Sequence, residues 1–202
     1  MKAGMSTHPL RCRCGSLQGR VRVTRTATRA LCYCLDCQAY ARFLGGDLLD
    51  AAGGTEVVAM SPGNVRLESG LQSLACLSLS PRGILRWYAD CCRTPIANTP
   101  RNPRVPYVGL VHACLGDAPA REASFGPVRL VANRKSARGE AASVPPHRAA
   151  VALCSLGAAL LAARVSGAYR QTPFFDAASG EPVRTRWVLS PAERAQAYRD
   201  RG

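Results

Sequence analysis

The stretch "CYCLDC" places Cys32, Cys34 and Cys37 within six residues, and three thiols at that density need a chemical reason. Two further groups stand apart from it: "CRC", with Cys12 and Cys14 two apart, and the adjacent pair Cys91 and Cys92 in "DCCRTP". On extended backbone residues i and i+2 point to the same side, so Cys12 with Cys14, and Cys32 with Cys34, can each aim two thiolates at one ion. Cys37 follows Cys34 at the spacing of a metal-binding knuckle. Soft thiolate ligands select zinc over hard cations, and zinc takes four ligands in a closed site or three in a site that keeps one position free. The early and late pairs together make a closed four-thiolate set. The triplet supplies three ligands without an obvious fourth, because none of His8, His112 and His147 lies at ligand spacing from it. Two other readings compete for the triplet. Reduced cysteines serve as small buried hydrophobes, and Cys34 with Cys37 forms a C-x-x-C redox pair, although no βαβ pattern surrounds it. Cys76, Cys114 and Cys154 stand alone in apolar surroundings and read as buried small residues.

Adjacent cysteines on a strand point to opposite faces, so Cys91 and Cys92 share one ion only if the backbone turns there. The alternative gives Cys92 to the first set and Cys91 to the triplet, which closes the second site and argues against catalysis. For acid–base chemistry the sequence offers Asp36, Tyr40 and His112, of which Asp36 reads first as a cap and His112 as a satisfied core residue. Asp47 and Asp50 lie near glycines but lack the context of a phosphate-binding loop.

The pattern "CRCGSLQGRV", "CYCLDCQ" and "CCRTPI" resembles that of the glutathione-dependent formaldehyde-activating enzyme family over about residues 10–115. That pattern runs C-x-C-G before a strand, then C-x-C-x-x-C, then C-x-x-C-G-[ST]-x-[LI]. The resemblance implies a mainly-β zinc fold of β-tent type, with a structural zinc on Cys12, Cys14 and the late pair. It implies a second zinc on Cys32, Cys34 and Cys37, with glutathione bound close by and Cys34 as the candidate catalytic residue. The implied reaction is of carbon–sulfur lyase type, acting on a small thiol or a thiol–aldehyde adduct. The chain departs from the pattern where Ala89 stands in place of the first late cysteine, leaving Cys91 as the substitute. The competing function class is a zinc-stabilised binding module without chemistry that contacts a protein partner.

These side chains need a scaffold. At 202 residues, with 47% hydrophobic and 20% charged composition, the chain suits one domain with an appended element. "LQGRVRVTR" alternates apolar and polar residues, and "TEVVAM", "NVRLES", "LACLSLS", "ILRWYA" and "RVPYVGLVHACL" are strand-like between Gly, Pro and Asn turns. The expectation is a mainly-β, antiparallel, short-strand zinc-binding domain over 1–132, with one or two helical turns at "LDCQAYARF". A basic linker follows over 133–147, then a helical extension over 148–202 packed on the domain. The apolar run 149–163 is short for a membrane span, so no transmembrane segment is predicted. A helix at about 148–168 is expected to pack on the domain or in a homo-oligomer contact, with the interfacial membrane helix as the other reading, because arginines flank it. A terminal helix is expected to start at Ser190-Pro191.

The net charge of +14 comes almost wholly from arginine, with lysine only at Lys2 and Lys135. The charge is spread along the chain and aromatic content is 6%, so no specific nucleic-acid binding is predicted. The first fifteen residues lack the apolar core of a secretory signal. A reducing cytoplasm is the expected compartment, where clustered cysteines serve as metal ligands more often than as disulfides.

Overall fold

The computed structural model describes residues 6–45 and 48–199; Asp47 and the chain ends lie outside the described residues. Among the described residues, eleven strands and four α-helices build two sheets and a helical layer. The smaller sheet has the order β1-β2-β5, from Thr7–Arg11, Gln18–Arg22 and Val65–Ser69. The larger sheet has the order β10-β3-β4-β9-β8-β7-β6-β11. Its strands are β3 Thr28–Cys32, β4 Thr55–Met60, β6 Leu74–Ser78, β7 Leu85–Ala89, β8 Thr94–Thr99, β9 Val108–Val111, β10 Val128–Ala132 and β11 Arg186–Val188. The fold is sheet-rich as expected, but it is not purely antiparallel. β10 pairs in parallel with β3, and β11 in parallel with β6, because each reaches its edge after a long excursion of chain rather than a hairpin.

The alternation of "LRWYA" explains the layering. Leu85, Trp87 and Ala89 point into the main core, where Leu10, Leu17, Val21 and Val65 of the small-sheet side meet Val58, Met60, Ile96 and Leu110 of the large sheet. Tyr88 points the other way, into a second core with Ala39, Tyr40 and Leu44 of helix α1 (Leu35–Leu44) and Leu189 and Ala197 around helix α4 (Pro191–Tyr198). Arg86 shares that second face and is buried. A strand buried on both faces therefore carries one cation in its middle.

The segment after residue 132 is woven into the domain. Phe174 and Phe175 enter the main core against Trp87, with ring centroids 5.2 and 6.2 Å away. Helix α3, Pro146–Val165, packs against β10, β4 and the turn Ala168–Arg170, and buries Ala152, Leu156 and Ala163. Its 20 residues exceed the 149–163 run, and among the described residues it is the one helix long and apolar enough, by length and composition, to cross a membrane. Pro146 marks its start, two residues before the expected one, since Pro fits the first helical turn. α4 begins where Ser190 and Glu193 form a capping box, as the sequence predicts. A short helix α2, Ala118–Phe125, lies between β9 and β10.

Candidate metal centres

Cys12 follows β1 and Cys14 sits two residues on, in the tight loop before β2. The loop is a turn rather than the extended backbone expected from the spacing: Gly15 N–H donates to the Cys12 carbonyl at 3.0 Å, with Gly15 at φ +80°. Leu17 N–H donates to Cys12 Sγ at 3.3 Å, which fixes the sulfur's position in the loop. Cys91 and Cys92 occupy the turn between β7 and β8, so the backbone does bend at the adjacent pair. Arg93 completes the turn in the left-handed region at φ +55°. Its guanidinium donates to the carbonyls of Leu44 and Phe43 at 3.0 and 2.6 Å, tying the turn to the C-terminal end of α1. Arg13 stitches the two loops together through Thr94 Oγ1 and the Cys92 carbonyl, both at 3.0 Å.

The outcome is one cluster of four sulfurs, Cys12, Cys14, Cys91 and Cys92, all within 4.8 Å of one another. Individual separations are 3.5 Å for Cys12–Cys14, 3.9 Å for Cys12–Cys91, 3.3 Å for Cys14–Cys91 and 3.8 Å for Cys91–Cys92. Four sulfurs about 2.3 Å from one tetrahedral zinc stand about 3.8 Å apart, so the cluster already has the dimensions of a four-thiolate site. These separations are far beyond a disulfide bond, and all ten cysteines are free. Cys91 therefore belongs with the early pair, and the alternative that sends it to the triplet is not the arrangement found. The Ser16 hydroxyl and backbone hold the Cys14 thiol down to about 6.

The second cluster joins Cys32, Cys34 and Cys37, again with sulfurs within 4.8 Å. Cys32 ends β3, Cys34 is the N-cap of α1 and Cys37 lies in its first turn. The Cys34 sulfur accepts from Cys37 N–H at 3.3 Å, doing what a serine would do at a helix start. Three thiols thus face the positive end of a helix dipole, a placement that favours thiolates. Hydrogen bonds from the Cys34 and Cys37 thiols, with a weaker one from the Asn133 amide, hold the Cys32 thiol far below its ordinary value. The same sharing pushes Cys34 and Cys37 up.

Sequence reasoning missed the groups around this triplet. Arg86 reaches it from β7, with Nη1 3.9 Å from Cys37 Sγ and 3.2 Å from Asn98 Oδ1 of β8. Its guanidinium lies 4.9 Å from the Tyr40 ring centroid. Among the described residues no carboxylate forms an ion pair with it. A buried cation without a carboxylate is costly, and on the triplet side the sulfur it meets is that of Cys37. Burial, then the charges of Cys37 and Cys32, pushes the Tyr107 hydroxyl up to about 12. The only trace of this in the sequence is a charged residue in the middle of an apolar strand pattern.

The acid–base candidates are engaged elsewhere. Asp36 Oδ1 accepts from the Tyr198 hydroxyl of α4, and Tyr40 donates to the Trp87 carbonyl at 3.1 Å. His112 Nδ1 lies 3.2 Å from the Glu56 carbonyl and lines a cavity of about 480 Å³ with Cys12, Arg13 and Arg93, on the side of the four-sulfur cluster. Cys76 and Cys114 are buried as expected, whereas Cys154 lies on the outer side of α3 and is exposed, because that helix is covered on one side only.

A family model matches residues 5–183. The chain belongs to DUF6151, a family of unknown function. The matched span of this DUF6151 protein holds both cysteine clusters, Arg86 and α3, and ends before β11 and α4. Among curated proteins none matches the sequence.

Proposed function

We propose that this DUF6151 protein binds two zinc ions, a closed structural one on Cys12, Cys14, Cys91 and Cys92 and an open one on Cys32, Cys34 and Cys37 that takes a small thiol. The observation that carries this reading is the triplet itself. Three sulfurs converge at a helix N-terminus, no fourth ligand joins them among the described residues, and the buried Arg86 stands ready to offset one further negative charge. Zinc held there supplies a positive centre that lowers the pKa of a thiol in the free position.

The resemblance to the glutathione-dependent formaldehyde-activating family gains support from two local features. Arg93 adopts the left-handed conformation at the place where that pattern carries glycine. The turn at Cys91 and Cys92 also makes good the missing first late cysteine. On this reading the ligand is glutathione or a thiol–aldehyde adduct, in a reducing cytoplasm that keeps the clustered thiols available. Arg86 balances the thiolate charge, the Asn133 amide steadies Cys32, and the protonated Tyr107 hydroxyl, whose pKa feels Cys37 and Cys32, is a further donor for an adduct oxygen. Cys34 holds the ligand site and caps the helix that aims it.

A second reading is favoured by one specific observation: Asp36, Tyr40 and His112 are all committed to other partners. That suits a thiol carrier, or a zinc-stabilised binding module, better than a lyase with a dedicated proton-transfer residue. Formation of hemithioacetal from glutathione and formaldehyde, followed by NMR at matched zinc content, separates the two. A rate above the uncatalysed one that is lost in Cys34→Ser marks the enzyme. Glutathione binding without acceleration marks the carrier, and no glutathione binding marks the module.

A further inference from the structure

We propose that α3 is an interfacial helix that seats the protein on an anionic lipid surface. Its inner side is spent on the domain, where Ala152, Leu156 and Ala163 are buried. At about 100° per residue the opposite side carries Ala150, Cys154, Leu161 and Val165. A surface helix ordinarily turns charge outward. Here Val151, Leu153, Leu161 and Val165 are 68, 57, 65 and 81% exposed, so among the described residues most of this apolar surface is left uncovered.

Charge decides what the occupant is. The only charged residues of the helix are Arg148 near its start and Arg164 in its last turn, and no acidic residue occurs between Glu140 and Asp176. Arg164 is held against the Tyr169 ring at 5.0 Å, and Arg134 and Lys135 are exposed just beyond β10, the strand on which the helix lies. An apolar stripe with a cation at each end, on a chain of net charge +14, complements anionic headgroups over acyl chains. Arginine stems extend along the apolar boundary while their heads stay among phosphates. A second copy fits less well. Two such chains repel, and one helix face about 30 Å long and about 10 Å wide gives about 300 Å² per partner, against about 800 Å² in a stable interface. With its inner side fastened to β10 and β4, the helix lies on a bilayer and does not cross it.

The test is flotation of the full-length, zinc-loaded protein with vesicles of phosphatidylcholine alone or with 30% phosphatidylserine, at low and high salt. Capture by the anionic vesicles that weakens with salt is expected. Leu161→Glu with Val165→Glu should cut partitioning by on the order of tenfold or more, because two buried aliphatic contacts are lost. Zinc content and circular dichroism should stay unchanged, since both residues face away from the core. Arg148→Gln with Arg164→Gln should remove the preference for phosphatidylserine. No capture on either vesicle overturns the proposal. So does capture that Leu161→Glu with Val165→Glu leaves untouched, which would assign binding to the general basic surface. A dimer in sedimentation that the same pair dissociates, with no vesicle binding, would make a second copy the occupant.

Discussion

On the proposed reading, Arg86 is the residue on which the chemistry of the triplet turns. A guanidinium buried in the middle of a strand is costly unless charge answers it, and its nearest answer is the sulfur of Cys37. Arg86→Met should therefore weaken glutathione binding by about tenfold, equivalent to about 1.4 kcal/mol, while leaving zinc content intact. Arg86→Lys should recover part of that loss, because charge rather than fork geometry is the requirement. Calorimetric titration of zinc-loaded variants checks both, and equal affinity in Arg86→Met would remove Arg86 from the site. At the other cluster, Cys91→Ser and Cys92→Ser should each remove one zinc per chain and leave the triplet loaded. Loss of the triplet's metal in Cys91→Ser, with the other cluster still filled, would reverse the assignment of Cys91.

Elements decide which residues meet. Glu56 of β4 accepts from Arg29 of β3 at 2.8 Å and from Arg121 of α2 at 2.9 Å, with only 12% of its side chain exposed. Burial raises its pKa, but the two guanidiniums outweigh burial and hold the carboxyl below the ordinary 4.5. A depressed folded-state pKa gives stability that is present above the unfolded value and lost as pH falls through the folded one. Glu56→Ala should thus cost about 2–4 kcal/mol at neutral pH, and the gap to the parent should close on acidification below the carboxylate range. Urea unfolding across pH measures it, and a gap that persists in acid would contradict the ion-pair origin. The elements also show what the sequence makes legible. "LQGRVRVTR" announces β2 because Val21 is buried while Arg20 and Arg22 are exposed. "TPIANT" hides β8 because Pro95 and Asn98 are poor strand markers, yet all six of its residues are buried. The parallel pairing of β10 with β3 depends on chain a hundred residues apart, which no local pattern reports. The thiol clusters were legible from spacing, but their surroundings were not. The turn that unites Cys91 and Cys92 rests on a left-handed arginine, and Arg86 meets Cys37 only through the order of strands in the large sheet.

At the scale of the whole molecule the proposed reading gives the two clusters different duties. The four-sulfur cluster joins residue 12 to residue 92 and so links the β1–β2 hairpin of the small sheet to the β7–β8 hairpin of the large one. A metal there closes a long loop across the main core, so its removal should cost more stability than removal from the triplet. Treatment with a strong chelator should lower the Tm by about 10 °C or more, and Cys12→Ser should reproduce most of that loss whereas Cys32→Ser should not. The triplet sits at the edge of the second core, beneath the start of α1, where loss of metal should leave both sheets intact. The most direct measurement is the number of zinc ions per chain by native mass spectrometry, on reduced protein purified without chelator, before and after glutathione. Two zincs per chain, with a glutathione adduct that disappears in Cys34→Ser, is the predicted result. A single zinc and no adduct would contradict an open thiol-binding centre at Cys32, Cys34 and Cys37.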